Sequence, residues 1–396
     1  MKINLLFSSV LLYAQASAQL HPGFNPKEAK DLILLCNSFT YLELYGSDSA
    51  VIPESCQKIY TSPSYGMDNK FQVYIQNGVG IINFRGSTDK KSSWLENLYS
   101  AMIPVEDVIQ VDNNKFYYKV GTDTEGAVHA GYILALSHFQ EDVLIQLKNL
   151  NQKGIYSFII TGHSQGGALA QVLRASLEYL PEEKASKKNT YKVYSFANPM
   201  IGNINFAKEY NKKYAEKEMS FSLHNSEDLV PQMPMSYNDS TYWKESALTI
   251  LTREENFNKK NMLFEGAIQT FENPIKKLSN VLSKNLNKQL EKDLGNIVMP
   301  KFRNDINYSH TGKLILLPPT EYPLELRDST ILKDKGLMAT YERNENGEFE
   351  DKNLYKKPKK LLQHKPYNYY TSVLKVYYPN EYASLDQKYF VMPIEK

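Results

Sequence analysis

Ser164 stands in the run Ile160 to Ala170, ITGHSQGGALA, between Gly162 and Gly166. An apolar β-rich run precedes it and a helix-forming run of small residues follows. That strand-turn-helix context is what a GxSxG nucleophile turn requires. A sharp turn holds the serine in a strained backbone conformation, and side chains at either glycine would collide with the neighbouring strand and helix. The helix N-terminus beneath the serine favours developing negative charge.

A serine nucleophile needs a base, an orienting acid and an oxyanion hole. On such a turn the chain order is serine, acid, histidine. Of the seven histidines, His21, His129, His138 and His163 precede Ser164, and His224 precedes the best acid. His310 and His364 remain. The acid is sought where a strand ends beyond the nucleophile, and SFSLHNSEDLVPQMP supplies Asp228 there, with Glu227 as its adjacent competitor and Pro231 stopping any helix.

The elements that must position these groups alternate. KEAKDLILLCNSFTYLEL has helical spacing, and FQVYIQNGVGIINFRGS gives two β-rich runs joined at Asn77-Gly78, a hairpin signal. HAGYILALSHFQEDVLIQLKNL is helical, IYSFIIT a buried strand, QGGALAQVLRASLEYL a helix and YKVYSFAN a strand. Strands separated by helices imply a mostly parallel sheet with helices on both faces. From 241 to 307 the rhythm breaks. There Ile275, Leu278, Leu282, Leu286, Leu290 and Leu294 mark an amphipathic helix, whose lysines read as a solvated face or as an approach to anionic lipid. GKLILLPP then returns to strand character.

Composition bounds the rest. The 396 residues are 42% hydrophobic and carry a formal net charge of +2, so no overall field points to nucleic acid. Lys2 precedes an apolar run, Ile3 to Ala14, and small residues lead to a cleavage position after Ala18, the pattern of an export signal over 1–18. The protein is then expected to be secreted or periplasmic. Cys36 and Cys56 would meet an oxidising compartment, where they either pair or stay as buried thiols. No zinc-binding spacing surrounds them.

Several ordered segments resemble one family. FRGS at Phe84 to Ser87, VHAGY at Val128 to Tyr132, the TGHSQGGALA turn, FANPMIGN at Phe196 to Asn203 and NSEDLVPQMP are similar to the class 3 lipases, the fungal-lipase-like branch of the α/β-hydrolases. The resemblance implies an α/β-hydrolase fold over 19–396, interrupted by a helical insertion at about 241–307. It implies Ser164 as nucleophile, Asp228 as orienting acid, and the backbone N–H groups of Ser87 and Gln165 as oxyanion hole, helped by the Ser87 hydroxyl. His364, in LLQHKPYNYYTSVL, resembles the family's final histidine followed closely by tyrosine and is expected to be the base. His310, in INYSHTGKLILL, resembles a segment whose histidine lies outside the triad.

The stretch 88–104 occupies the place of the family's lid. Ser93 and Glu96 have capping-box spacing, and Trp94, Leu98 and Met102 recur at helical intervals, so these three are expected on the lid's substrate-facing side. A helix simply packed on the core is the alternative. Met200 where arginine is common and Ala197 where glycine is common are departures that bear on substrate choice. The function implied is a secreted serine ester hydrolase acting on acylglycerols, with a phospholipase A1 or other carboxylesterase as alternative. An inactive homologue serving as a binding module would show an eroded triad or turn, which this sequence does not. No metal or organic cofactor is needed, the expected partner is an ester lipid or its interface, and the oligomeric state is open.

Overall fold

The computed structural model describes residues 19–234, 288–305, 307–333, 335–345, 347–356 and 361–391. The expected export signal and most of the 241–307 segment, including the lipid-facing alternative for its first lysines, lie outside them. Among the described residues no helix is long and apolar enough to cross a membrane.

At the hairpin, Asn77 and Gly78 both take positive φ, 48° and 79°, the geometry that matches strand twist and that these residue types tolerate. They join β2 (Phe71–Gln76) to β3 (Val79–Phe84), and β1 (Cys56–Thr61) adds antiparallel to β2. Beyond β3 the sheet is parallel through β8 (Ser157–His163), β9 (Thr190–Phe196), β11 (Ser220–Asn225) and β14 (Lys313–Leu317). The seven strands run in the order β1-β2-β3-β8-β9-β11-β14. A four-stranded sheet orders β13 (Tyr308–Ser309), β10 (Gly202–Asn203), β7 (Ala127–His129) and β4 (Met102–Pro104). A three-stranded one orders β12 (Ile297–Val298), β5 (Glu106–Val111) and β6 (Asn114–Lys119).

Period-two alternation feeds two apolar layers. Ile82, Ile160 and Val193 face one core with residues of α3 (Ala130–Gln152) and α4 (Gln165–Leu177), among them Leu134, Val143, Leu169 and Leu173. Ile81, Ile159 and Tyr194 face the other, with Leu32 and Leu35 of α1 (Pro26–Tyr45) and Tyr369 and Val373 of the helix Pro366–Tyr377. The expected helices on both faces are therefore present, and the fold is that of an α/β-hydrolase. Asn25 caps α1 by accepting the Lys27 and Glu28 N–H groups, and Gly46 ends it at φ 70°.

From residue 288 the segment read as an insertion is woven into the body. Residues 288–294 are helical, Leu290 is wholly buried, β12 pairs with β5, and the Arg303 N–H donates to the Met102 carbonyl at 2.8 Å. Cys36 and Cys56 are both buried free thiols, so the pairing alternative is not realised.

Candidate active site

β8 delivers the chain to Ser164, and α4 begins one residue later. The direction must change within that residue, and Ser164 takes φ 59°, ψ −131°, a strained conformation for a side chain with a Cβ. Close packing on three sides sustains it. A Cβ on Gly162 would strike the Gly166 backbone, one on Gly166 would strike the Phe84 carbonyl, and one on Gly86 would sit 2.9 Å from the His163 carbonyl oxygen. Only glycine lets β3, β8 and α4 converge beneath the serine.

His364 reaches Ser164 from a turn just ahead of the helix Pro366–Tyr377. Its Nε2 lies 2.8 Å from Ser164 Oγ and its Nδ1 2.7 Å from Asp228 Oδ2. A carboxylate only accepts, so the proton sits on Nδ1, and Nε2 presents a lone pair to the serine hydroxyl. Asp228, in the turn after β11, is 3% exposed. Its Oδ1 accepts the Val230 N–H at 3.0 Å, and its Oδ2 also accepts the Tyr369 hydroxyl at 2.8 Å. Glu227 is exposed, and His310 is exposed with its ring 5.3 Å from His224, away from the serine. His163, next to the serine, is 5% exposed, its ring centre 4.7 Å from that of His364. Burial, reinforced by His364, pushes the His163 pKa well below the usual range and keeps the ring neutral.

Gln165 is the first residue of α4, where an N–H has no intrahelical acceptor, and Ser87 lines the cleft beside Ser164. The Ser87 hydroxyl, expected to help the oxyanion hole, is engaged otherwise. It donates to Gln165 Oε1 at 2.8 Å and accepts from Asn97 Nδ2 at 2.8 Å. Gln165 Oε1 also receives Ser93 Oγ and Asn97 Nδ2, each at 3.2 Å, while Gln165 Nε2 donates to Asn69 Oδ1 at 3.2 Å. Asn69 Nδ2 in turn donates to Glu96 Oε2 at 2.7 Å. Burial pushes the Glu96 carboxyl up to about 8, against the pull of the Asn69 and Gln165 amides.

The expected lid differs in three ways. The helix α2 spans Lys91–Leu98 with Lys90 as its N-cap, so Ser93 and Glu96 lie inside it, and their side chains turn into the buried network instead of forming a capping box. The helix stops at Tyr99, and Met102 belongs to β4, wholly buried and paired with His129. Helical spacing therefore cannot carry Met102 onto the same face. Leu98 is half-buried against the core, and the Trp94 side chain is outside the described residues. Neither Leu98 nor Met102 lines the cleft, whereas Asn97 of the same stretch does.

The cleft over Ser164 has a volume of about 280 Å³. Its apolar walls come from Phe39 and Leu44 of α1, Val230 and Met233 beyond Asp228, Leu361, and Phe390 near the end of the chain. Thr40, Glu43, Arg85, Asp89 and Lys365 add polar groups. None of these wall residues follows from local sequence pattern, because they come from distant segments.

A family model described as Lipase (class 3) matches residues 81–238, a stretch that holds Ser87, Ser164, Gln165 and Asp228 and ends before His364. A lipase of Caenorhabditis elegans, ZK262.3, is 32% identical over 94 residues, covering 24% of this chain and 25% of that protein. The chloroplastic galactolipase DONGLE of Arabidopsis thaliana is 29% identical over 136 residues, covering 32% of this chain and 28% of that protein. The triacylglycerol lipase OBL1 of the same plant is 38% identical over 88 residues, covering 22% and 16% respectively. The chain thus matches less than a third of each relative's length.

Proposed function

We propose, from the premise that the chain belongs to the class 3 lipase family, that it is a serine hydrolase which cleaves carboxylic esters of acylglycerols through an acyl-enzyme. The observation that carries this reading is the continuous chain Ser164 Oγ, His364, Asp228, with contacts of 2.8 and 2.7 Å, at the floor of a largely apolar cleft. Geometry of this kind suits proton transfer concerted with nucleophilic attack.

His364 Nε2 takes the Ser164 proton as Oγ attacks the ester carbonyl carbon. The carbonyl π pair moves to oxygen, where the N–H groups of Ser87 and Gln165 and the positive end of α4 meet the charge. Asp228 stabilises the imidazolium without taking its proton. Collapse expels the alcohol, which leaves with the proton from His364. Water then gives a proton to His364, attacks the acyl-enzyme, and the carboxylic acid departs as Ser164 regains its hydrogen. A donor fixed in advance at the oxyanion contributes about 2.7–4 kcal/mol.

Polar cleft residues Thr40, Glu43, Arg85 and Asp89 favour a second reading, an acyl lipid with a polar head group, the substrate kind named for one relative. Both readings are tested by labelling with an alkyl phosphonate and by comparing p-nitrophenyl butyrate and palmitate, triolein and a diacyl galactolipid. A protein that neither labels at Ser164 nor turns over any of these is not the enzyme proposed. Residues 1–18 are read as an export leader, so the N-terminus of the exported protein should be Gln19 by sequencing.

A further inference from the structure

We propose that Glu96 is a positioning residue for the oxyanion site, holding the Gln165 side-chain amide in one orientation through Asn69. The inference rests on the hydrolase reading above. Asn69 presents its Nδ2 to Glu96 Oε2 at 2.7 Å, an oxygen that accepts both in the ionised carboxyl and in the neutral one whose proton sits on Oε1. Asn69 Oδ1 is thereby turned to Gln165 Nε2 at 3.2 Å. Gln165 Oε1 is left facing three donors, Ser87 Oγ at 2.8 Å and Ser93 Oγ and Asn97 Nδ2 at 3.2 Å.

An amide fits its space nearly as well when flipped, so shape alone leaves the chain of amides two ways to lie. Both ends of the chain set its direction: Glu96 Oε2 accepts from Asn69 at one end, and at the other the Ser93 backbone carbonyl, which can only accept, takes Asn97 Nδ2 at 3.2 Å. With Gln165 reversed, its NH2 would confront the Asn97 NH2, and the Ser87 hydroxyl would lose its acceptor. Glu96 is 0%, Ser93 1%, Gln165 2% and Asn69 3% exposed, so bulk water cannot stand in for a lost partner. The two residues braced at the end of this relay, Ser87 and Gln165, are the ones whose N–H groups form the oxyanion hole in the proposed reaction. Their side chains are tied to each other, and a flip of one amide would be felt by both.

A buried carboxyl is costly to keep, and its second oxygen, Oε1, is buried without a hydrogen-bond partner. The orienting role accounts for a carboxyl where packing alone would favour an apolar side chain. Tyr132 adds to the brace from α3, its hydroxyl donating to Asn97 Oδ1 at 3.0 Å.

The test compares the full chain with Glu96→Leu and Glu96→Gln, reading kcat and KM for p-nitrophenyl butyrate and the rate of phosphonate labelling. Glu96→Leu should lower kcat and the labelling rate about 10- to 100-fold with KM within about twofold, the scale of a misplaced catalytic group. Glu96→Gln still offers a carbonyl to Asn69 and should recover kcat to within about threefold of the parent, a rescue that a volume effect would not give. A folded Glu96→Leu protein with parental kcat, or a Glu96→Gln protein as impaired as Glu96→Leu, overturns the role. If Glu96→Leu does not fold, Asn69→Ala cuts the same relay, and a parental kcat in that variant overturns it equally. An unsubstituted chain that neither labels nor turns over removes the hydrolase reading and this inference with it. A labelled parent with an unimpaired Glu96→Leu variant removes the inference alone.

Discussion

Tyr369 donates its hydroxyl to the same Asp228 oxygen that pairs with His364, at 2.8 Å against 2.7 Å. The two donors approach from one short stretch of chain, His364 in the turn and Tyr369 on the helix that follows, so the proposed base and the hydroxyl that shares its carboxylate arrive together. The Tyr369 oxygen also accepts the Asn225 N–H at 3.0 Å, which ties the end of β11 to the same point. A hydrogen bond to a charged group contributes about 1.5–3 kcal/mol. Because Asp228 keeps Val230 and His364, Tyr369→Phe should lower kcat by about tenfold, the low end of that range, and leave KM unchanged. Steady-state kinetics on a soluble ester check this, and a parental kcat would show that the hydroxyl serves only the fold.

Replacement of the nucleophile should be far more severe. Ser164→Ala removes the proposed nucleophile, and kcat should fall by at least about a thousandfold, with phosphonate labelling abolished. Circular dichroism should be unchanged, since alanine fits the serine's volume. Retention of more than about a tenth of the activity in a clean preparation would refute the assignment.

The two late histidines give a paired prediction. His364→Ala should cost kcat about as much as loss of the serine and remove the acidic limb of the pH-rate profile, because that limb reports protonation of the base. His310→Ala, at an exposed position whose ring neighbours His224, should leave kcat within about threefold. An active His364→Ala protein beside a folded but dead His310→Ala protein would reverse the roles without touching Ser164.

The turn at Ser164 was legible because its constraint is local: two glycines, a buried strand before and a helix after specify one backbone path. Asp228 was legible as a strand-end acid ahead of a proline. His364 needed chain order and resemblance together, since the base arrives from a segment that shares no local pattern with the strand it serves. Glu96 shows the limit. Serine and glutamate three residues apart read as a helix cap, and the same spacing inside α2 places both side chains in a buried network. Spacing records which residues share a helix face and not whether that face is wet. Met102 failed for a related reason, since apolar recurrence continues past Tyr99 while the backbone changes from helix to strand. Ala197, at a position where the resemblance leads one to expect glycine, has φ 51°, a left-handed backbone that glycine would adopt without the strain a Cβ adds.

The Glu96 carboxyl also links stability to pH. Its folded-state pKa is raised by burial to about 8 from the ordinary value of 4.5. Between these values the unfolded chain has released a proton that the folded chain retains, so the native state binds more protons and its stability falls as pH rises. This contribution is complete below the unfolded pKa and is lost as pH rises through the folded one. The titratable neighbours on α3 are silent in that window: burial holds His129 neutral, with a pKa lowered to about 3, and burial together with Glu96 raises Tyr132 well above its usual range. Glu96→Gln has no proton to lose. The difference in thermal midpoint, variant minus parent, should therefore grow from about pH 5 to about pH 8 and level off above it, reaching several degrees, since each unit of pKa displacement corresponds to about 1.4 kcal/mol. Differential scanning calorimetry across that range reads it directly. A difference that stays flat with pH would mean that Glu96 is ionised throughout, and that its charge is compensated by a partner other than the Asn69 amide.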